Sequence, residues 1–359
     1  MTAPSPSEPL DPRGHDLLDR RVAAVWPAMR SVLATPVDVP AVLPSAGVVV
    51  TGVGSSEAHG RYLVGLLNEW TPVPAEFVAL GAFADAASVG PSRRTRALVV
   101  FSQGLAPNAQ LALHRAGEFS GTVLFTSATE TGQLASGRPE RAELLARLVR
   151  GGARIERFPV EDEYTLLVRL IGPACGFAAA RRFAAAVPGS RLPPASSRIE
   201  CLQAVAEGPW PNRVATQLRA RVEEHGRGFV LVTPASVSGC AQNLAAKFVE
   251  GLYWPPPHIV ETLELAHGTF QQLLGHRSPA WVLSGDPLSA RAVEMLAAAG
   301  LDPFEVPLGV PADVAPLAVE LLFNEAIARL VSDLGIDQVN WPGRGLDEVL
   351  YGYSGSPSR

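Results

Sequence analysis

Residues 47–57 read Gly-Val-Val-Val-Thr-Gly-Val-Gly-Ser-Ser-Glu, and this stretch decides the fold class. The apolar run Gly47–Thr51 is typical of a buried strand, and Glu57–Trp70 has the spacing of an amphipathic helix. A buried strand that leads through a short loop into a helix is the repeating unit of parallel α/β sheets. Because ligands bind at the carboxyl ends of such strands, the loop between the two elements is a candidate binding site.

The same alternation of apolar runs and helical segments continues along the chain, so we predict an α/β protein with parallel sheets and helices on both faces. A long helix is predicted over Tyr164–Ala186. Strands are predicted at Gly47–Thr51, Ala75–Leu80, Ala97–Phe101, Thr122–Thr126, Arg154–Phe158, Gly228–Val232, His258–Thr262, Ala280–Leu283 and Phe304–Val306.

The 359 residues suggest two domains of similar architecture. Pro188–Ser197, rich in proline, glycine and serine, is the best linker in the chain. The predicted organisation is a disordered tail over 1–15, a first domain with an N-terminal helix over 16–187, a linker over 188–197, a second domain over 198–340 and a C-terminal tail over 341–359.

Composition excludes several classes of protein. The chain is 47% hydrophobic and carries a net charge of −5, and no basic stretch with interleaved aromatic residues marks a nucleic-acid partner. No apolar run is long enough to span a bilayer, and Met1–Asp11 lacks the features of a signal peptide. The three scattered cysteines, Cys175, Cys201 and Cys240, fit neither a disulfide framework nor a zinc site. We therefore expect a soluble cytoplasmic protein without a metal.

Lys247 is the only lysine in a chain with 30 basic residues. It lies three residues before Glu250 on a predicted helix, so the two side chains share a face. One interpretation is a surface ion pair, worth a few tenths of a kcal/mol. The other is a general base, Glu250, beside a cation that stabilises developing negative charge.

Two loops at predicted strand ends carry small polar residues that could bind an anion. The first contains Gly54, Ser55 and Ser56; the second begins Ser102-Gln103-Gly104. The first loop is not a dinucleotide-binding fingerprint, because Glu57 stands in place of the third glycine, and it is not a P-loop, because Gly-Lys-Ser/Thr is missing. Two such loops can converge on one ligand at the edge of a sheet.

His267-Gly268 follows another predicted strand. A lone histidine there is either structural or a proton shuttle near neutral pH.

Together these elements resemble the sugar isomerase (SIS) family, particularly double-SIS proteins such as the isomerase domain of glucosamine-6-phosphate synthase. The resemblance implies two flavodoxin-like three-layer domains and a homodimer with shared active sites. It implies that Glu250 moves a proton between C1 and C2, that His267 opens the sugar ring from the neighbouring subunit, and that no metal or organic cofactor takes part. It also implies that Gly54, Ser55, Ser56, Ser102, Gln103 and Gly104 bind the substrate, a sugar or sugar phosphate.

Several positions depart from the family pattern. Gly104 and Pro107 stand where the resemblance places hydroxyl side chains, so the phosphate loop is thinned. Thr269 replaces the proline of the family's His-Gly-Pro motif, and Glu348 stands where the family tail inserts a lysine. A carboxylate there could act as a second acid/base or face an amine on the substrate.

Three functions remain open at this point. The first is an aldose–ketose isomerase or an amino-sugar deaminase/isomerase that works through an enediol-type intermediate, with Lys247 assisting Glu250. The second is a sugar–amine condensing or amine-transferring enzyme of specialised metabolism, which the altered tail favours. The third is a non-catalytic protein that binds sugar phosphates.

Overall fold

A computed structural model of the protein describes residues 11–37, 43–84, 94–158 and 163–354. Its described part contains two parallel β-sheets. The first sheet has the strand order β2-β1-β3-β4-β5 and the second has the order β7-β6-β8-β9. The strands are β1 Val48–Thr51, β2 Ala75–Phe77, β3 Ala97–Phe101, β4 Gly121–Thr126, β5 Arg154–Arg157, β6 Val230–Thr233, β7 His258–Glu261, β8 Ala280–Ser284 and β9 Phe304–Pro307.

Helices connect the strands and pack on the sheets. They are α1 His15–Ala34, α2 Ser55–Trp70, α3 Gln110–Leu113, α4 Glu130–Ala135, α5 Pro139–Arg150, α6 Ile171–Ala185, α7 Ile199–Ala206, α8 Trp210–Ala220, α9 Val222–His225, α10 Ala235–Ser238, α11 Gln242–Leu252, α12 Thr269–His276, α13 Pro287–Ala298, α14 Ala315–Asp333 and α15 Glu348–Tyr351.

Each sheet is covered on both faces, because neighbouring residues of a strand point to opposite sides. In β1, Val48 and Val50 belong to the largest core cluster, whereas Val49 belongs to a separate cluster on the other face. In β6, Leu231 belongs to the same large cluster and Val232 to a third one. The prediction of two three-layer α/β domains with parallel sheets is therefore confirmed.

The two domains share the large core cluster. The buried helices α6 and α14 lie at its centre, and α1 packs against both of them. The predicted linker packs on the first domain: Arg191 donates its backbone N–H to the Trp70 carbonyl, and the Arg181 side chain donates to the Pro193 carbonyl. Residues 188–197 are thus part of the shared structure.

The structure differs from the sequence prediction at two places before helices. The helix predicted over Tyr164–Ala186 begins only at Ile171, where the Glu163 carboxylate accepts the N–H groups of Leu170, Ile171 and Gly172. Such a carboxylate satisfies backbone donors that have no partner within the helix and favours the positive end of the helix dipole.

The predicted disordered tail over 1–15 also needs correction in its last part. Residues 1–10 lie outside the described residues. The Arg13 carbonyl accepts the N–H of Gln338, and the His15 ring hydrogen-bonds the Ile336 carbonyl. The segment directly before α1 therefore packs against the end of the second domain. In the part of the chain described here, no helix has the length and apolar character needed to cross a membrane.

Candidate active site

A cavity of about 300 Å³ lies at the carboxyl ends of β1 and β3. Both serine-bearing loops and the Glu250 end of α11 contribute to it, although they are distant in sequence. Its lining residues are Val53, Gly54, Ser55, Ser56, His59, Phe101, Ser102, Gln103, Ala106, Asn108, Ala109, Phe158, Tyr164, Leu167, Arg169, Glu250, Asp347 and Tyr351.

The first wall of the cavity is the loop that joins β1 to α2. Gly54 has a φ of 61° and a ψ of −131°, a conformation that residues with a side chain rarely adopt. Ser55 and Ser56 follow at the first turn of α2 and line the cavity, so the positive end of the helix dipole lies at this wall. The N–H groups of Ser56 and Glu57 donate to the carbonyls of Val53 and Gly54, and the two serine hydroxyls are the donors suited to an oxyanion or to sugar hydroxyl groups.

The second wall is the loop after β3. The Gln103 carbonyl accepts hydrogen bonds from the N–H of Ser127 and from the hydroxyl of Thr126, which fix the loop on β4. The Gln103 side chain donates to Glu163 Oε2 at 3.4 Å. Ser102 is buried next to it. The buried carboxylate of Glu163 therefore orients both the start of α6 and the amide of Gln103.

Gly104 does not line the cavity, and the space beside it is filled by Tyr164. A Cβ atom at position 104 would lie 2.4 Å from the Tyr164 hydroxyl oxygen, closer than van der Waals contact permits. Tyr164 therefore fills the space that a side chain at position 104 would need.

Gln338 brings Glu250 next to the segment before α6. Its side-chain oxygen accepts the N–H of Val168, and its side-chain nitrogen donates to the carbonyls of Glu250 and Gly251 at 3.2 and 3.0 Å. Gln338 is completely buried, and its carbonyl also accepts the N–H of Leu167. These bonds hold the end of α11 against the chain that carries Arg169.

The Glu250 carboxyl has the electrostatics of an acid/base group. Burial raises its pKa above the ordinary value, while the charges of Arg169 and Lys247 act in the opposite direction. A raised pKa moves a carboxyl group toward the pH at which it can both accept and return a proton. Glu250 also lines the cavity.

Lys247 points away from the cavity. Its ammonium group lies 3.1 Å from Glu320 Oε2 and donates to the Arg169 carbonyl at 3.0 Å. Glu320 also accepts from the side chains of Asn243 and Asn324. Lys247 is therefore neither the surface residue of one interpretation nor a residue that lines the cavity. It contacts the backbone of Arg169 from behind.

His267 and Glu348 lie outside the cavity. His267 is exposed, one residue before the glycine that precedes α12. Glu348 begins α15 and is exposed, whereas its neighbour Asp347 and the residue one turn later, Tyr351, line the cavity. The C-terminal tail therefore reaches the cavity as expected, but through different side chains. Within the described ranges, no group of three or more His, Cys, Asp or Glu residues is placed to hold a metal ion.

Sequence reasoning missed three residues of the cavity wall. His59 lies on α2 one turn after Ser55, and its Nε2 donates to the Pro173 carbonyl at 2.8 Å. Burial lowers the pKa of His59 to about 3, so the ring is neutral and leaves Nδ1 as an acceptor. The Asn108 side-chain oxygen is buried without a hydrogen-bond partner in the described structure. The third residue is Arg169, which sits in a segment that had been predicted as helix interior.

Solved structures share this architecture over almost their whole length. The C-terminal domain of glucosamine-fructose-6-phosphate aminotransferase from Francisella tularensis aligns with a TM-score of 0.65 at 12% identity, covering 94% of this chain and 100% of that one. Glucosamine-6-phosphate deaminase from Thermotoga maritima gives 0.65 at 16% identity, covering 90% and 97%. A protein proposed to be a phosphosugar isomerase, from Silicibacter pomeroyi, gives 0.65 at 17% identity, covering 91% and 100%.

By sequence, no family model and no curated protein matches the chain. The likeness is one of fold: the chain has an SIS-like fold with two α/β domains.

Proposed function

We propose that this protein is a cytoplasmic, cofactor-independent enzyme that acts on a sugar or sugar phosphate as an aldose–ketose isomerase or an amino-sugar deaminase/isomerase. The observation that carries the proposal is the position of Glu250, a carboxylate with a raised pKa in a cavity whose other walls carry Ser55, Ser56, Ser102 and Gln103. The solved structures with the same fold include a sugar-phosphate deaminase and an aminotransferase domain, which supports this class of substrate.

In the proposed reaction, Glu250 takes the proton from one of two adjacent carbons and returns it to the other, through an enediol-type intermediate. General acid–base catalysis of this kind requires a carboxyl group within hydrogen-bond reach of the carbon-bound proton. Ser55, Ser56, Ser102 and Gln103 hold the phosphate or the terminal hydroxyl groups at the strand ends. Lys247 acts indirectly, because its ammonium group supports the backbone of Arg169.

Ring opening requires a second proton carrier, and we assign it to His267 of a second subunit. His267 is exposed on its own subunit and lies outside the cavity, so a homodimer with shared sites is the arrangement that lets it act. The cavity residue Val53 is exposed, and further exposed apolar residues lie close in sequence to cavity residues, namely Val249, Leu346, Val349 and Leu350. A partner subunit that covers them would also close the cavity from water.

A second candidate function is amine transfer or condensation with a sugar. The observation that favours it is Asp347, a carboxylate that the tail places in the cavity. A carboxylate at this position can pair with an ammonium group on the substrate. In that role Asp347 replaces Glu348, which does not line the cavity.

The test is turnover of sugar phosphates and amino-sugar phosphates by the wild type and by Glu250→Gln, followed by mass spectrometry and with ammonia or amines supplied in parallel. The variant is expected to lose roughly 10²–10⁴-fold in turnover while keeping its affinity for the ligand. Glu294→Gln, an exposed change on α13, serves as the matched control. Normal turnover by Glu250→Gln would reject the mechanism, and ligand binding by the wild type without turnover of any sugar would favour a non-catalytic binding protein.

A further inference from the structure

Arg169 is the one cationic side chain among the described residues that line the cavity, since His59 is neutral and Lys247 faces away. Its guanidinium group stacks on the Tyr164 ring, with its carbon 4.2 Å from the ring centre. Cation–π stacking of this kind fixes the plane of the guanidinium group, and the Tyr351 side chain also hydrogen-bonds to Arg169.

The charge of Arg169 is not matched by an ion pair. In the described structure no carboxylate lies within ion-pair distance of it, and its Nε atom is buried without a hydrogen-bond partner. Burial alone would lower the pKa of Arg169, but Tyr164, Tyr351 and Glu250 together raise it, so the group stays charged. A half-buried cation with an unused donor is costly unless a ligand completes its hydrogen bonds.

The backbone of Arg169 is held from three sides. Lys247 donates to its carbonyl, Gln338 holds the preceding residue Val168, and the Glu163 carboxylate holds the following Leu170. A long side chain that projects from such a fixed backbone loses less conformational entropy when it binds a ligand. This is the arrangement of a recognition residue.

The loop after β3 has no side chain at position 104. Gly104 has no side chain, and the Tyr164 hydroxyl occupies the space where one would lie. The same Tyr164 carries the guanidinium group of Arg169 on its ring. Tyr164 therefore contacts both the Gly104 loop and Arg169, whose charge acts on Glu250.

We propose that Arg169 is the specificity-determining residue of the cavity and binds a carboxylate or phosphate group of the substrate, which is therefore an acidic sugar. The proposal rests on the function proposed above, and it adds that the acidic group lies beside Glu250. Arg169 offers paired N–H donors in one plane, the geometry that carboxylate and phosphate oxygens accept.

The test measures binding and needs no turnover. The probes are glucuronate, fructose 6-phosphate and neutral fructose, titrated calorimetrically into wild type, Arg169→Met, Arg169→Lys and the control Arg291→Met, an exposed change on α13. The wild type is expected to bind at least one acidic probe roughly 10-fold or more tightly than fructose. Arg169→Met should remove that preference without changing fructose affinity, and Arg169→Lys should keep part of it.

The two acidic probes distinguish a carboxylate from a phosphate as the group recognised. The preference for acidic over neutral probes is the decisive quantity, because a merely structural loss in Arg169→Met would weaken all three probes alike. Equal affinity of wild type for acidic and neutral probes, no binding of either acidic probe, or an unchanged preference in Arg169→Met overturns the proposal. Repeating the titrations in the Glu250→Gln background separates this outcome from failure of the proposed reaction, since that variant should bind ligand without converting it.

Discussion

Lys247 Nζ lies 3.1 Å from Glu320 Oε2, and the two side chains are only 3% and 2% exposed. The pair joins α11 to α14, directly behind the cavity residue Arg169. Asn243 and Asn324 add two amide donors to the Glu320 carboxylate. The only lysine of the chain therefore completes a buried polar network, in which each polar group depends on the others for its hydrogen bonds.

Removal of one charge of the Lys247–Glu320 pair should lower the free energy of unfolding more than removal of both charges. Lys247→Met leaves a buried carboxylate without its cation and should lower the free energy of unfolding by about 3–5 kcal/mol, whereas Lys247→Met combined with Glu320→Gln, which keeps an acceptor for Asn243 and Asn324, should recover much of the loss. Urea unfolding measures both. The matched control is Arg219→Met, which breaks the exposed pair with Asp333 and should cost less than about 1 kcal/mol. A loss in Lys247→Met no larger than in this control would contradict the buried network.

The raised pKa of Glu250 predicts a pH-dependent cost in stability that requires no substrate. When the folded-state pKa lies above the unfolded-state value, stability falls as the pH rises from the unfolded pKa through the folded pKa. Glu250→Gln cannot ionise and should escape this fall. The melting temperature of the variant relative to wild type should therefore increase from pH 4 toward pH 8, as followed by thermal unfolding.

Glu294→Gln, whose side chain is exposed, should show no such trend. Removal of the Arg169 charge should enlarge the effect, because that charge lowers the pKa of Glu250. A difference between Glu250→Gln and wild type that stays flat across this pH range would show that the carboxyl is not desolvated.

Gly104 and Tyr164 should be energetically coupled. Gly104→Ala places a methyl group 2.4 Å from the Tyr164 hydroxyl oxygen and should cost about 1–3 kcal/mol of stability by overpacking. In a Tyr164→Ala background the same substitution should cost much less, and a double-mutant cycle measured by urea unfolding gives the coupling energy. Gly117→Ala, where an added Cβ meets nothing within 4 Å, is the control. Additive effects of the two substitutions would contradict the contact.

The architecture could be predicted from the sequence because a buried strand is marked by a short apolar run, which is visible within a few residues. Ala97–Phe101 was predicted with the observed bounds, and Gly47–Thr51 differs by one residue from β1. Convergence of the two serine-bearing loops follows from the same signal, since parallel strands bring their carboxyl ends to one edge. Glu250 reaches this edge from the second domain, and the resemblance to sugar isomerases was the only sequence signal for that.

The remaining parts of the site depend on contacts that no local pattern encodes. Helical spacing put Lys247 on the face of Glu250, but the chemistry of its environment is set by Glu320 on a distant helix. Arg169 was hidden in a predicted helix, because apolar periodicity does not register that the Glu163 carboxylate caps the start of α6 at Ile171 and leaves Arg169 in the irregular segment before it. In the C-terminal tail, Asp347 lines the cavity and its neighbour Glu348 does not. Which of two adjacent residues faces the cavity depends on how the tail packs, and the sequence pattern does not encode this.

Subunit complementation tests whether two chains share each site. Glu250→Gln and His267→Asn should each be inactive alone. The first variant lacks the carboxylate that moves the proton between carbons, and the second lacks the group that opens the sugar ring. If His267 acts across the interface of a two-fold symmetric dimer, a mixed dimer has one site with both changes and one with neither. Equal mixing with subunit exchange should therefore restore about a quarter of the wild-type activity.

Mixtures of Glu250→Gln with Glu250→Asp/His267→Asn double variants should restore none, since every site then carries a change at position 250. Failure of the first mixture to regain activity, with subunit exchange verified by light scattering and mass spectrometry of tagged chains, would show that His267 does not act across the subunit interface.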